Sequence, residues 1–353
     1  MILHEDYLHG GDIYRNRIRL DFSVNVNPLG TPEPVRVAVR NSADLMENYP
    51  DPCCGELRRK LADSLQTDPE RILLGNGAGE LIYQLTAALK PAKALLPVPS
   101  FSDYEAALSA EGTVVTFFPL RREEGFRLTE RICEAVTEET GLLMLGSPNN
   151  PTGRLIPRDL LLKIRERCRE TGTWLFLDEC FGELTDEGTP SLADILKPDD
   201  KVFLLRAFTK TYAMPGVRLG YAVCPDRTMM DRISRLSQAW NVSLPAQQAG
   251  LAALNCGEWV KEARTVIRNE KARLIPGLER LGFTVYPGDA NYLLFSGMPG
   301  LYDKLLEQGI LIRSCANYRG LRDGDYRIAV RKREENEVLL QALREVLHAS
   351  DRN

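Results

Sequence analysis

Between residues 71 and 223 short runs of apolar residues, several rich in Val, Ile, Phe and Leu, alternate with longer stretches whose apolar positions recur at helical spacing. The short runs predict strands at 71–74, 94–97, 114–118, 142–145, 174–177, 202–205 and 221–223. Seven strands with helices between them predict an α/β fold, a mostly parallel sheet covered by helices. From about Ala249 the pattern becomes a long helical stretch ending near Leu281, followed by short strands around 292–295, 310–313 and 327–330. A last helix puts Val338, Leu339, Ala342, Leu343, Val346 and Leu347 on one face. The reading is an N-terminal arm over 1–30, a large domain over 31–248 and a smaller α+β domain over 249–353. There is no internal repeat and no low-complexity segment.

Several predicted strands run into polar or glycine-rich segments: Gly75-Asn76-Gly77, Ser147-Pro148-Asn149-Asn150, Asp178-Glu179 and Thr209-Lys210. In open α/β sheets the ligand crevice lies at the carboxyl ends of the strands. Four such ends converging predict a single site.

Composition narrows the chemistry. With 353 residues, 44% of them hydrophobic, the chain can bury a large core. A net charge of −4 with no basic stripe gives no sign of a nucleic acid or anionic membrane partner. No apolar run approaches the roughly 18 residues of a membrane span, and Met1-Ile2-Leu3-His4-Glu5-Asp6 lacks the order of a signal peptide, so a cytoplasmic location is expected. The eight cysteines are scattered, with only Cys53-Cys54 adjacent, and read as reduced thiols. Three histidines exclude a histidine-rich metal centre and leave a Ser-His-Asp relay poorly supported. The hard chemistry falls to something other than histidine.

The strongest local signal is Phe208-Thr209-Lys210-Thr211-Tyr212-Ala213-Met214-Pro215-Gly216-Val217-Arg218-Leu219-Gly220-Tyr221. A lysine directly after a strand, behind a hydroxyl residue and eight positions before an arginine in a glycine-containing turn, resembles the lysine segment of fold-type I enzymes dependent on pyridoxal 5'-phosphate (PLP). The resemblance implies the aspartate-aminotransferase fold. It implies that the Lys210 amine condenses with the cofactor aldehyde while Thr209 and Arg218 take the phosphate, a guanidinium fork suiting a dianion. Asp178, closing the run Trp174-Leu175-Phe176-Leu177, matches the acid that keeps the pyridine nitrogen protonated. Asn150 stands in an Asn-Pro-Thr-Gly turn, where the family's asparagine donates to the phenolic oxygen of the cofactor. Gly77, Ala78 and Gly79 open an apolar helix and offer backbone N–H groups to the phosphate. The family commonly has a hydroxyl or acidic side chain where Ala78 and Gly79 stand, so backbone donors carry this loop. Phe101 matches the ring that stacks on the pyridine. Tyr49, in Asn48-Tyr49-Pro50-Asp51-Pro52, matches the tyrosine that crosses a dimer interface to the neighbouring phosphate, which implies a homodimer.

The fold does not choose the reaction. Two subfamilies are similar, the histidinol-phosphate aminotransferases and the threonine-phosphate decarboxylases, which make aminopropanol phosphate for the nucleotide loop of cobalamin. Three stretches lean towards the decarboxylases. His9-Gly10-Gly11-Asp12 with Asp21-Phe22-Ser23-Val24-Asn25 resembles their arm, whose histidine and asparagine face the substrate, roles inherited here by His9 and Asn25. The segment from Ile310 to Leu321, leading to Arg327, resembles their C-terminal segment, where Arg313 and Arg327 jointly take the substrate phosphate and carboxylate. Aminotransferases of this group usually have tyrosine three residues after the pyridine aspartate, and this chain has Phe181. The expected substrate is a small phosphorylated amino acid, the expected reaction decarboxylation with Lys210 returning a proton to Cα, and transamination is the alternative. A non-catalytic regulator of the same fold would lack the lysine or carry a DNA-binding segment, and this sequence does neither.

Overall fold

The computed structural model describes residues 9–186 and 191–350, so the first eight residues of the predicted arm lie outside the described residues. Thirteen strands occur among the described residues. They are β1 (Leu20–Asp21), β2 (Ile72–Gly75), β3 (Lys93–Val98), β4 (Val114–Pro119), β5 (Leu142–Gly146), β6 (Trp174–Asp178), β7 (Val202–Ala207) and β8 (Gly220–Val223), then β9 (Thr284–Tyr286), β10 (Tyr292–Ser296), β11 (Ile310–Leu311), β12 (Arg313–Ser314) and β13 (Asp325–Ala329).

All seven strands expected between residues 71 and 223 form, and they make one sheet in the order β2-β8-β7-β6-β5-β3-β4. Only β8 runs against the rest, pairing antiparallel with both β7 and β2. The central strands β5 and β6 are almost wholly apolar because helices cover both faces of the sheet, leaving no solvated side on which alternation would show. Leu143, Leu145, Leu175 and Leu204 point into one core layer, and Leu142, Met144, Phe176 and Phe203 into the other. Each such side chain contributes about 1.5–3 kcal/mol by leaving water. The register aligns Gly146 with Asp178 and Asp178 with Leu205, so the carboxyl ends of β5, β6 and β7 lie side by side.

The C-terminal part differs in detail from the expectation. The single helical stretch is two helices, Leu244–Ala253 and Gly257–Arg280. The longer one bridges two cores, with Ala263 and Ile267 in the core of the large sheet and Leu274 and Leu278 in that of the small domain. The expected strand at 310–313 is split. Its first half, β11, pairs in parallel with β1 of the arm, and its second, β12, pairs with β13 in the sheet β12-β13-β10-β9. Ile312 between them is buried, and Phe22 beside β1 is wholly buried in the same core, which ties the arm to the small domain. All eight cysteines are free thiols. No helix among the described residues is long and apolar enough to cross a membrane.

Candidate active site

The carboxyl ends of the central strands open into a cavity of about 370 Å³. Lys210 enters it from the short helix Phe208–Thr211, which follows β7 directly, so the sheet itself sets the depth of the amine. Its Nζ lies 5.7 Å from the centroid of the Phe181 ring. Burial, with the positive charges of Arg327 and Arg218, lowers the ammonium to a pKa of about 8 against an ordinary 10.5. An amine so placed is neutral often enough near neutral pH to act as a nucleophile.

Asp178 closes β6 and faces the same cavity. Its two oxygens are fixed from opposite sides: the Tyr104 hydroxyl donates to Oδ2 at 2.7 Å, and the Cys180 backbone N–H donates to Oδ1 at 2.9 Å. Burial raises its pKa despite these donors, so the carboxylate gains from a cation placed beside it. Phe101 precedes the helix Ser102–Ala110 and meets the Tyr104 ring edge-on at 5.6 Å, and both line the cavity. Tyr104 and Cys180 were not singled out from the sequence. The signal for Tyr104 is its place one helical turn after Phe101, on the same face.

A second cluster of donors lies at the start of the helix Ala78–Leu89. Gly77 has φ +82°, and a Cβ there would come within 2.3 Å of the Arg218 guanidinium, so glycine lets backbone and guanidinium share one cradle. Ala78, Gly79, Thr209 and Arg218 all line the cavity. Helix N–H groups, a hydroxyl and a guanidinium around open space fit a phosphate dianion.

On the other side stand the arm and the small domain. His9 Nε2 is 3.2 Å from Asp103 Oδ1, and its ring is 5.8 Å from that of Phe101. Asn25 is buried and its Oδ1 has no hydrogen-bond partner in the protein, an open acceptor on the cavity wall. Arg313 and Arg327 reach the cavity from adjacent strands, each only 5% exposed. Arg327 donates to the Asn150 side-chain oxygen and to the Ser23 carbonyl, the latter at 2.7 Å. The first bond turns the Asn150 amide so that its NH2 group is left for a ligand.

Every cofactor and substrate residue expected from the sequence therefore meets at this one cavity, with two exceptions. Gly77 acts from behind, through Arg218. Tyr49 is far more exposed, at 78%, and stacks on Trp240 with ring centroids 4.5 Å apart. PLP fits the groups present: an enclosed amine, an acid fixed by two donors, an aromatic wall and a phosphate cradle at the far end, with an orphaned acceptor for what it carries.

The chain belongs to the family of class I and II aminotransferases, whose profile matches residues 17–343. Within it, the chain is 42% identical over 332 residues to the threonine-phosphate decarboxylase of Salmonella typhimurium, covering 93% of this chain and 91% of the relative. Among solved structures, the L-threonine-O-3-phosphate decarboxylase of Porphyromonas gingivalis superposes with a TM-score of 0.84 at 27% identity, over 93% of this chain and 99% of the other. The histidinol-phosphate aminotransferase of Clostridium acetobutylicum superposes with a TM-score of 0.87 at 30% identity, over 94% and 99%.

Proposed function

We propose that this chain is a PLP-dependent decarboxylase that converts O-phospho-L-threonine to (R)-1-amino-2-propanol phosphate, a step of cobalamin biosynthesis. The observation that carries the substrate class is the pair Arg313 and Arg327, both buried on the cavity wall and neither ion-paired to a carboxylate among the described residues. Two buried guanidiniums side by side repel each other, a repulsion that bound anions would offset, and a phosphate plus a carboxylate is such a pair. The decarboxylase named above, 42% identical, supports the same reading.

PLP, when bound, supplies an electron sink for the pair released as a bond at the substrate Cα breaks. The residues of this chain decide which bond that is. Lys210 would hold the cofactor covalently until substrate arrives, and Asp178 would hold a proton on the ring nitrogen. Arg218, Thr209 and the N–H groups of Ala78 and Gly79 would anchor the phosphate of the cofactor, and Asn150 would steady its phenolic oxygen. Arg313 and Arg327 would hold the two anionic ends of the substrate, with His9 and Asn25 facing it, and so fix which bond at Cα is presented for breaking. In decarboxylation the bond from Cα to the carboxylate would be the one broken, carbon dioxide would leave, and Lys210 would return a proton to Cα. Trapped carbon dioxide from O-phospho-L-threonine, one per aminopropanol phosphate formed, tests the reading; a keto acid formed without gas would replace it by transamination.

The working unit in this proposal is a homodimer. Tyr49 and Trp240 stack on each other while exposed, and Met46 is exposed as well; apolar side chains of this kind suit burial against a second copy, with Tyr49 reaching the partner's cofactor phosphate. Sedimentation at twice 39.6 kDa is the expected result, and a monomer that is fully active would overturn it.

A further inference from the structure

The small sheet turns one face to the large domain, and that face carries two kinds of group. Residues 325 and 327 of β13 lie on the same side of the sheet, as do their cross-strand partners: Arg313 opposite Arg327, and Ser296 opposite Asp325. One end of the face is therefore the arginine pair of the active site. The other end holds Asp325, wholly enclosed, and it is met by a side chain from the large domain.

That side chain is Arg122, in the turn after β4. Its guanidinium binds Asp325 through both terminal nitrogens, Nη1 to Oδ1 at 3.0 Å and Nη2 to Oδ2 at 2.6 Å. Nη1 also donates to the Tyr286 hydroxyl at 2.7 Å and to Ser296 Oγ at 3.0 Å. The guanidinium sits 5.1 Å from the ring of Phe126 and 5.4 Å from that of Tyr286. A single arginine thus grips β9, β10 and β13 at once, and an apolar cluster of Leu120, Phe126, Leu294 and Cys315 fills the space beside it. Hydrogen bonds from Arg122 and Ser296 hold the Asp325 carboxyl below its ordinary range although burial opposes them.

We propose that Arg122 is a positioning residue, a clamp that fixes the small sheet against the large one and so sets where Arg313 and Arg327 stand relative to Lys210 and Asp178. It touches neither substrate nor cofactor. The substrate side of the proposal rests on the function proposed above; the mechanical side does not. A guanidinium fork on a carboxylate fixes orientation as well as distance, which a lone apolar interface leaves free to slide.

The test compares wild-type holoenzyme with Arg122→Met and, should that variant not fold, with the isosteric Asp325→Asn. Hydrogen exchange read by mass spectrometry is expected to speed up in 313–314 and 325–329 while 174–178 and 202–207 keep wild-type protection. The KM for O-phospho-L-threonine is expected to rise about tenfold or more, the cofactor affinity staying as in wild type. Arg122→Lys, which keeps the charge without the fork, should recover part of the loss. Unchanged exchange in both strands, or loss of cofactor affinity in step with the rise in KM, would overturn the clamp. Wild-type enzyme that ignores phosphothreonine would instead overturn the functional reading and leave the exchange comparison to decide the clamp.

Discussion

Arg313 and Arg327 face each other across the antiparallel pair β12 and β13, two guanidiniums in directly opposed positions inside the protein. Like charges so placed destabilise a sheet unless something neutralises them. Their protein partners are carbonyl and amide oxygens: Ser314 and Asn317 for Arg313, Asn150 and Ser23 for Arg327. Arg313→Gln is expected to raise the KM for O-phospho-L-threonine by about one to two orders of magnitude, the scale of a charged hydrogen bond lost, with the cofactor spectrum unchanged. Steady-state kinetics with a parallel absorbance scan decide it; a KM within twofold of wild type would remove Arg313 from the substrate site.

Arg327 differs from its neighbour because it also orients Asn150. Arg327→Gln is expected to weaken substrate binding and to shift the cofactor absorbance together, and the double variant with Arg313→Gln to fall short of the sum of the two. Additive losses in a double-mutant cycle would show that the two arginines hold separate ligands.

The lowered pKa of Lys210, about 8, makes a prediction for the protein freed of cofactor. The unfolded chain binds a proton at this amine up to about pH 10.5 while the folded chain has released it, so between about pH 8 and 10.5 stability rises with pH. Below pH 8 the amine is charged in the folded and the unfolded chain alike, so the penalty of enclosing it is constant. Lys210→Met should therefore be more stable than wild-type apoprotein at pH 7, by about 1–3 kcal/mol, with the gap closing as pH rises through that window. Urea melts of the two proteins at pH 7, 9 and 10 measure it; a gap that stayed constant or widened with pH would mean that folding does not lower the pKa of the amine.

Phe181 sets a fourth expectation. Its ring is the nearest aromatic face to the Lys210 amine, and it offers no donor there. Phe181→Tyr would add a phenol able to donate to an anionic oxygen of the cofactor, which lowers the pH at which the lysine-linked form loses its proton, by about a unit. A spectral titration reads the shift directly. No movement would place the Phe181 ring edge too far from that oxygen to matter.

Much of this architecture is legible in the chain because parallel strands buried on both faces must be continuous apolar runs, and the seven runs between residues 71 and 223 each become a strand. The site was legible for a related reason: chemistry sits where those runs stop, at Asp178 after Leu177 and at Lys210 in the helical turn that follows β7. What the pattern hid depends on contacts between distant segments. The split of 310–313 follows from the pairing of Ile310 with Leu20, a partner strand of two residues with no periodicity to read. The spacing of Tyr104 from Phe101 puts it near the site, but its hydrogen bond to Asp178 is hidden, because a helical tyrosine looks like any core residue until the sheet brings residue 178 to it. Arg122 is equally silent, one of two adjacent arginines in a charged turn, and only the placement of the small sheet distinguishes it.

The account stands on Lys210 being the one amine that carries the cofactor beside Asp178. Borohydride reduction of the purified protein with bound PLP, followed by peptide mass mapping, is expected to place the pyridoxyl group on the peptide containing Lys210 and to find none in Lys210→Ala. A pyridoxyl group on another lysine, or a protein that takes up no cofactor and stays colourless, would contradict it.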